Sequence, residues 1–495
     1  MHLQFEKQSI RCLNTVKQET QTQEQTQEFR ISDGMPDIGT VVGAWGQVIL
    51  RSKEWQPGTM AVSGGTMVWV QYLPEDGGIP QCVETWIPFQ MTWPLPQTQR
   101  DGVIHVQCML RSADARSTSA RKMMIRTNVS VNALAMEERE LEIHMPQNIP
   151  NDIELRQETY PAELPVCAGE KAFTVEETLY FPPSIPKPEK LISYQLQPEI
   201  HETKIVNGKL VFRGNGILHI LYLAEDNGEY TWDFDLPFAQ YCELETDCED
   251  GNIFIIPCVT ALEIDREDDR QQVKAGVVCQ YRISNQTMIK VITDAYSPHR
   301  EISMVNQDLL LPGILENKAQ MVSAQQSVAL DAMRLVDVQF QPETVTVQSH
   351  TEEAQLEIPG RFQLLYYDMD GELRCTFQKW EQNHSVPTGP DVHLNVMSFP
   401  NGKVQSTLMP GNCQVSTELK LITESVNTNP ISMVTGLEVG TLQEPDPDRP
   451  SVILRRAGEE SLWELAKSYG STVAAIQEAN GQQTEPGQML LIPLV

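Results

Sequence analysis

The chain has 495 residues, with 67 acidic against 37 basic side chains and a formal charge of −30. At about 100–200 residues per domain this length predicts three or four domains, and 40 % hydrophobic with 21 % charged residues excludes wholesale disorder. So acidic a surface repels phosphate backbones and anionic lipid, which argues against nucleic-acid partners and membrane-surface binding and suits a basic partner.

The opening MHLQFEKQSIRCLN has neither an apolar core nor a small-residue cleavage site, so no secretory signal is expected. No run of about 18 uncharged apolar residues occurs, so no membrane insertion is expected. The ten cysteines are scattered, with no C-x-x-C pair, and are too sparse for a disulfide framework. Cys108, Cys258 and Cys279 lie in apolar alternating runs and read as buried free thiols of a protein kept in a reducing cytoplasm.

From the N-terminus, KQETQTQEQTQEF (17–29) reads as a polar, solvent-facing strand, with a disordered arm as the alternative. ISDGMPDI (31–38) follows, a proline with an acid beside it. VWVQYLPEDGGIPQCVETWIPF (68–89) then gives an alternating run, Tyr72, an acidic Gly turn and a second alternating run. The pattern returns as YQLQPEI (194–200) with LHILYLAEDNGEYTWDFDLPF (218–238). It returns again as VQFQPET (338–344) with FQLLYYDMDGELRCTFQKW (362–380). Tyr72, Tyr222 and Tyr366 are 150 and 144 residues apart. Pro198 and Pro342 each precede their tyrosine by 24 residues and Pro36 by 36, which predicts about 12 extra residues in a Gly-rich loop at SGGT (63–66).

Period-two alternation with Asp, Asn and Gly at the turns is the mark of half-buried strands joined as hairpins. VIHVQCML (103–110), NIFIIPCV (252–259), AGVVCQYRI (275–283) and STELKLIT (416–423) add further strands. The expected fold is mainly β: three tandem antiparallel β-sandwich-like repeats over 1–145, 170–297 and 317–440. The landmark tyrosines suit packing or a corner hydrogen bond. The proline-rich stretches 145–169 and 297–316 are expected as connections, and 441–450 as a semi-rigid Pro/acidic linker.

The last segment, 451–495, reads strand–helix–helix–strand. Ser461 with Glu464 forms a capping box, Leu462, Leu465, Ala466 and Tyr469 form one apolar stripe, and Gly470 ends the helix. Thr472 caps a second helix with Val473, Ile476 and Ala479 on its inner face, and PGQMLLIP (486–493) returns as a strand. SLWELAKSYG (461–470), TVAAIQEANG (472–481) and PGQMLLIP resemble a LysM domain. The resemblance implies a small α+β (βααβ) fold that binds N-acetylglucosamine polymers such as peptidoglycan or a chitin-like glycan. It implies a groove with Gly458, Glu459, Glu460 and Ser461 on one side and Ile476, Asn480, Gly481 and Gln482 on the other. The family usually has Gly-Asp-Thr before the Leu-Trp pair, whereas Gly458-Glu459-Glu460-Ser461 here has one residue extra or the Gly displaced and puts two carboxylates at the groove lip, so protein docking through this groove stays open beside glycan binding. Trp463 has the look of a sugar-stacking residue, with packing on the sheet as the alternative.

MPDIGTVVGAWGQVIL (35–50), VNGKLVFRGNGILHILYLAEDNG (206–228) and LEIPGRFQLLYYDMDGE (356–372), followed by a LysM segment, resemble the SPOCS-domain family of SipL-type clostridial spore coat morphogenetic proteins. The resemblance implies a role in building the spore envelope. It implies a place in the mother-cell cytoplasm at the forespore surface and a spore coat scaffold protein of the morphogenetic ATPase type as partner.

No P-loop, no G-x-G-x-x-G after a strand, no H-E-x-x-H and no G-x-S-x-G occurs in the sequence. His201, His299 and His384 lack a second histidine at ligand spacing, and Asp265, Glu267, Asp268 and Asp269 lack the spacing of a calcium loop and read as a hairpin tip. No catalytic residue, metal site or cofactor is therefore expected. The expected function is a non-enzymatic coat-assembly adaptor, with a cell-wall glycan-binding protein as the alternative.

Overall fold

The computed structural model describes residues 2–96, 102–244, 248, 251–267, 270–311, 314–427, 429–443, 449–481 and 487–495. Among these the chain forms 24 strands and two helices, both near the C-terminus. It is mainly β, as the alternation predicts.

One pairing plan recurs along the chain. β1 (His2–Gln4) precedes the first group: β2 (Glu6–Arg30), β3 (Ile38–Gln56), β4 (Thr59–Pro74), β5 (Gln81–Pro94), β6 (Val103–Ser119) and β7 (Lys122–Met145). β3–β4–β5 is an antiparallel meander, while β7 pairs with both β2 and β6 in a second sheet. β8 (Glu154–Leu179), β9 (Pro188–Val206), β10 (Lys209–Ala224), β11 (Glu229–Glu243), β12 (Asn252–Glu267) and β13 (Arg270–Tyr296) repeat this plan. The third group follows a short β14 (Ile302–Leu309). It comprises β15 (Ile314–Ala329), β16 (Ala332–Pro342), β17 (Thr346–Ser349), β18 (Glu353–Asp368), β19 (Leu373–Pro387), β20 (Val392–Met409) and β21 (Asn412–Asn427), with β16 and β17 sharing one edge of β18. β22 (Ile431–Val439) pairs with both β1 and β14, tying the N-terminus to the far end of the third group.

The Gln/Thr/Glu run is ladder, paired along its length with β7, because every second side chain needs only a solvated face. The three landmark tyrosines occupy one register: Tyr72 opposes Val41, Tyr222 opposes Leu191 and Tyr366 opposes Leu335. The proline landmark differs from the sequence expectation. Tyr72 donates its hydroxyl to Pro36 O and Tyr222 to Pro186 O, both at 3.0 Å and both across 36 residues. Pro186 is thus the counterpart of Pro36, and the first group carries no insertion. Ser63–Thr66 lies inside β4, hydrogen-bonded to strands on both sides, not in a loop. Gly64 and Gly65 are small because Phe89 and Trp86 lie over them, where a Cβ would clash. Pro198 sits within β9, an edge strand, the part of a sheet where a residue without an N–H is tolerated. The proline-rich connections are also mostly ladder: β8 begins at Glu154, and 297–316 holds β14 and the start of β15. Of the expected linker 441–450, residues 444–448 lie outside the described residues.

Each group has its own core, and further cores lie between groups. One joins Val106 and Val131 of the first group, Ile256 and Val278 of the second, and Met397 and Ile422 of the third. Another joins Trp45 and Trp69 with Leu221, Leu223, Val336 and Leu365. Lys53 reaches from the first group to Glu170 at 2.5 Å and Gln280 at 2.8 Å in the second. Arg282 and Glu424, both buried, pair the second group with the third. Arg334 of the third donates to the Glu229 carbonyl of the second at 2.9 Å, while the Gln71 amide of the first bonds the Glu229 carboxyl. The groups are held together by dry and charged contacts alike.

Candidate functional site

The C-terminal unit comprises β23 (Val452–Arg456), α1 (Leu462–Tyr469), α2 (Val473–Asn480) and β24 (Met489–Pro493). Eight-residue helices are marginal alone, so their ends matter. Ser461 accepts from Glu464 N at 3.2 Å while Glu464 accepts from Ser461 N at 2.8 Å, the reciprocal capping box. Gly470 closes α1 at φ 64°, and Thr472 caps α2 through Ala475 N at 3.1 Å. Leu465, Ala466, Ile476, Leu490 and Ile492 form the small core.

That core continues into the second strand group. Tyr296, at the end of β13, packs in it, and its hydroxyl donates to Ser471 O at 3.0 Å. The Trp463 ring stands edge-on to Tyr296 with centroids 4.8 Å apart, and its Nε1 donates to Asp294 Oδ2 at 2.7 Å. Lys467 Nζ binds both Asp294 oxygens, at 2.7 and 2.9 Å. Burial would raise the Asp294 carboxyl, but hydrogen bonds from Lys467 and Trp463 and the Lys467 charge hold it below the usual carboxylate range. The C-terminal unit is therefore docked on β13 through one face of α1.

A second feature is a cavity of about 440 Å³ bounded by all three strand groups. Gln47, Gln197 and Gln341, each 25 residues before its landmark tyrosine, line it. So do Cys108, Cys258, His219, Asp233 and Asp337. His219 lies between two carboxylates, with Nδ1 2.6 Å from Asp233 and Nε2 3.0 Å from Asp337 of the third group. Burial would lower its pKa, but Asp337 and Asp233 outweigh it and push it up to about 10. Asp233, despite burial, is held low by the same contact. With Nδ1 hydrogen-bonded to Asp233, Nε2 within ion-pair distance of Asp337 and the proton retained at neutral pH, His219 is a cation between two groups and is unsuited to act as a general base.

Residues 187–265 match the family model described as SipL, SPOCS domain, and residues 457–493 match that of the LysM domain. The chain carries a SPOCS domain and a C-terminal LysM domain. No curated protein and no solved structure matches it. The SPOCS match runs from the turn before β9 into β12, and so includes the whole second meander with Tyr222. Both are non-catalytic binding modules. No helix among the described residues is long and apolar enough to cross a membrane.

Within the LysM domain, the residues expected to form a groove have unequal fates. Gly458, Glu459, Glu460 and Ser461 are exposed on the loop before α1. Glu460 is paired with Arg455 at 2.6 Å, so one of the two lip charges is compensated. Gly481 is exposed at the end of α2. Ile476 is buried in the domain core and offers no surface. Asn480 is committed to β24: its Nδ2 donates to Leu491 O at 2.6 Å and its Oδ1 accepts from Leu491 N at 2.7 Å. Gln482 lies outside the described residues. Ala479, expected on the inner face of α2, is exposed. Trp463 packs on Tyr296 and Asp294 of another element, a contact no local pattern signals. The site of His219 likewise carries no local sequence signal, since its partners Asp233 and Asp337 come from separate strands. Asp268 and Asp269 of the acid run lie outside the described residues, as does the Glu267 side chain.

Proposed function

We propose that this chain is a non-enzymatic adaptor for spore-envelope assembly, built from three copies of one β unit and a LysM domain, that binds a spore coat scaffold protein of the morphogenetic ATPase type. A SPOCS domain joined to a LysM domain fits a sporulation-related protein with a peptidoglycan-binding type of module. The finer reading places it in the mother-cell cytoplasm at the forespore surface. The copy relationship is supported by the recurring strand pairing and by the common register of Tyr72, Tyr222 and Tyr366.

One observation carries the adaptor reading: Trp463, the aromatic best suited to stack on a sugar, is spent on Asp294 and Tyr296. Fixing the LysM domain on the second group turns two modules into one composite surface, and joined contacts recruit a partner at raised effective concentration. Purified chain used as bait in extracts of sporulating cells is expected to recover the coat scaffold protein; its absence from the recovered set would count against the reading.

Binding of peptidoglycan or a chitin-like glycan is the second reading, favoured by the exposed lip Gly458–Ser461 and by Arg455 neutralising Glu460. Sedimentation with purified peptidoglycan separates the two, with Glu459→Arg as the surface variant. Glu459 is exposed and suits this purpose, whereas a change at Asn480 would unpin β24 from α2.

A further inference from the structure

Two cysteines from different strand groups line the central cavity: Cys108 on β6 and Cys258 on β12. Each follows by two residues a member of the core that joins the groups, Val106 and Ile256, so packing fixes both strands at this point. The two thiols hydrogen-bond to each other. Cys258 Sγ also donates to Val106 O of the other group at 3.3 Å and lies 3.5 Å from Gln280 Nε2. Gln280 is itself immobilised. Its Oε1 accepts from Val106 N at 2.9 Å and from Lys53 Nζ at 2.8 Å, and its Nε2 donates to Val106 O at 2.8 Å.

This surrounding treats the two sulfurs differently. The hydrogen bond from Cys108 outweighs burial and, with Lys53 nearby, holds the Cys258 thiol below its ordinary range. The same bond, with burial, holds Cys108 well above it. A lowered Cys258 beside a Cys108 that keeps its proton is in line with this packing, since thiol–disulfide exchange starts from a thiolate. Cys82 and Cys375, by contrast, are pushed up by burial, to about 12 and about 11. Lys403 and Ser406 of the cavity wall are exposed to solvent.

We propose that Cys108 and Cys258 are a redox-responsive dithiol that closes to a disulfide, stapling the first strand group to the second, with a low-molecular-weight disulfide as oxidant. The Cys258 thiolate attacks one sulfur of that molecule, whose S–S bond breaks to release a thiolate. Cys108 then gives up its proton and attacks Cys258 Sγ in the mixed disulfide, forming the Cys108–Cys258 bond and expelling the second thiolate. The two protons of the dithiol end on the two released thiols, and the two electrons it loses reduce the small disulfide. This inference is independent of the adaptor reading.

The test uses the full chain, undenatured, incubated with oxidised glutathione, then denatured, alkylated and digested. The expected product is one cross-linked peptide pair containing Cys108 and Cys258, reversed by dithiothreitol, with Cys279 and Cys413 still alkylated. Cys108→Ser should stop at a stable glutathione adduct on Cys258, and Cys258→Ser should leave Cys108 unmodified. Cys108 and Cys258 both remaining free in the wild-type chain under excess oxidised glutathione would overturn the proposal. So would glutathione appearing on Cys108 in Cys258→Ser.

Discussion

Asp294 at the end of β13 and Trp463 on α1 meet through a 2.7 Å hydrogen bond, and Lys467 closes on the same carboxylate from one turn along the helix. This contact makes the LysM domain part of the repeat body. Asp294→Ala removes the acceptor and leaves a half-buried indole N–H unpaired, which costs about 1–3 kcal/mol at the interface. Hydrogen exchange of the α1 amides should accelerate in that variant while the amides of β18 and β19 keep their protection.

His219 gives the body a pH dependence on the alkaline side. Its folded pKa of about 10 lies above its ordinary value of 6.5. The stabilisation is therefore fully present below about pH 6.5 and is lost as pH rises through about 10. Denaturant midpoints should fall across that window in the wild-type chain and stay flatter in His219→Gln. At neutral pH the variant should lose about 3 kcal/mol, because buried Asp337 then faces Asp233 without the intervening cation.

Glu229 acts on the acid side. Burial raises its carboxyl from 4.5 to about 7, against the hydrogen bond from Gln71 and the charge of Arg334. Its contribution is fully present below about pH 4.5 and fades as pH rises through about 7. Glu229→Gln keeps the shape and removes the titration. Unfolding midpoints of the variant should exceed wild type at pH 8 and converge with it near pH 5.

The landmark tyrosines should divide two against one. Tyr72→Phe and Tyr222→Phe each lose the bond to a turn carbonyl and should cost about 0.5–1.5 kcal/mol by chemical denaturation. Tyr366→Phe should cost less, since β15 passes to β16 through Leu330 and Asp331 and has no counterpart of the Pro36 turn.

Much of this architecture was readable from residue order. Alternation located the meanders around Tyr72, Tyr222 and Tyr366, and the Asp, Asn and Gly turns gave their joints, with Asn227 at φ 60° and Gly371 at φ 82°. The capping box at Ser461 was equally plain, because caps are local. Proline misled, since sequence alone does not separate a turn proline such as Pro186 from an edge-strand proline such as Pro198; only the Tyr222 hydroxyl bond identifies the turn. The candidate groove was half legible: lip residues are set by a loop, but Ile476 and Asn480 are drawn inward by packing and by β24. Cys108 with Cys258, His219 with Asp337 and Trp463 with Asp294 come from strands and helices far apart in sequence, and no spacing rule joins them.

The central claim is that the LysM domain and the strand groups act as one binding platform. Its most direct test is the affinity of the full chain for purified coat scaffold protein, compared between wild type and Asp294→Ala. The account predicts saturable binding that weakens at least about tenfold in the variant, one lost contact of about 1.4 kcal/mol, with no sedimentation of either chain by peptidoglycan. Scaffold binding absent from the wild-type chain, while peptidoglycan carries it down, would contradict it.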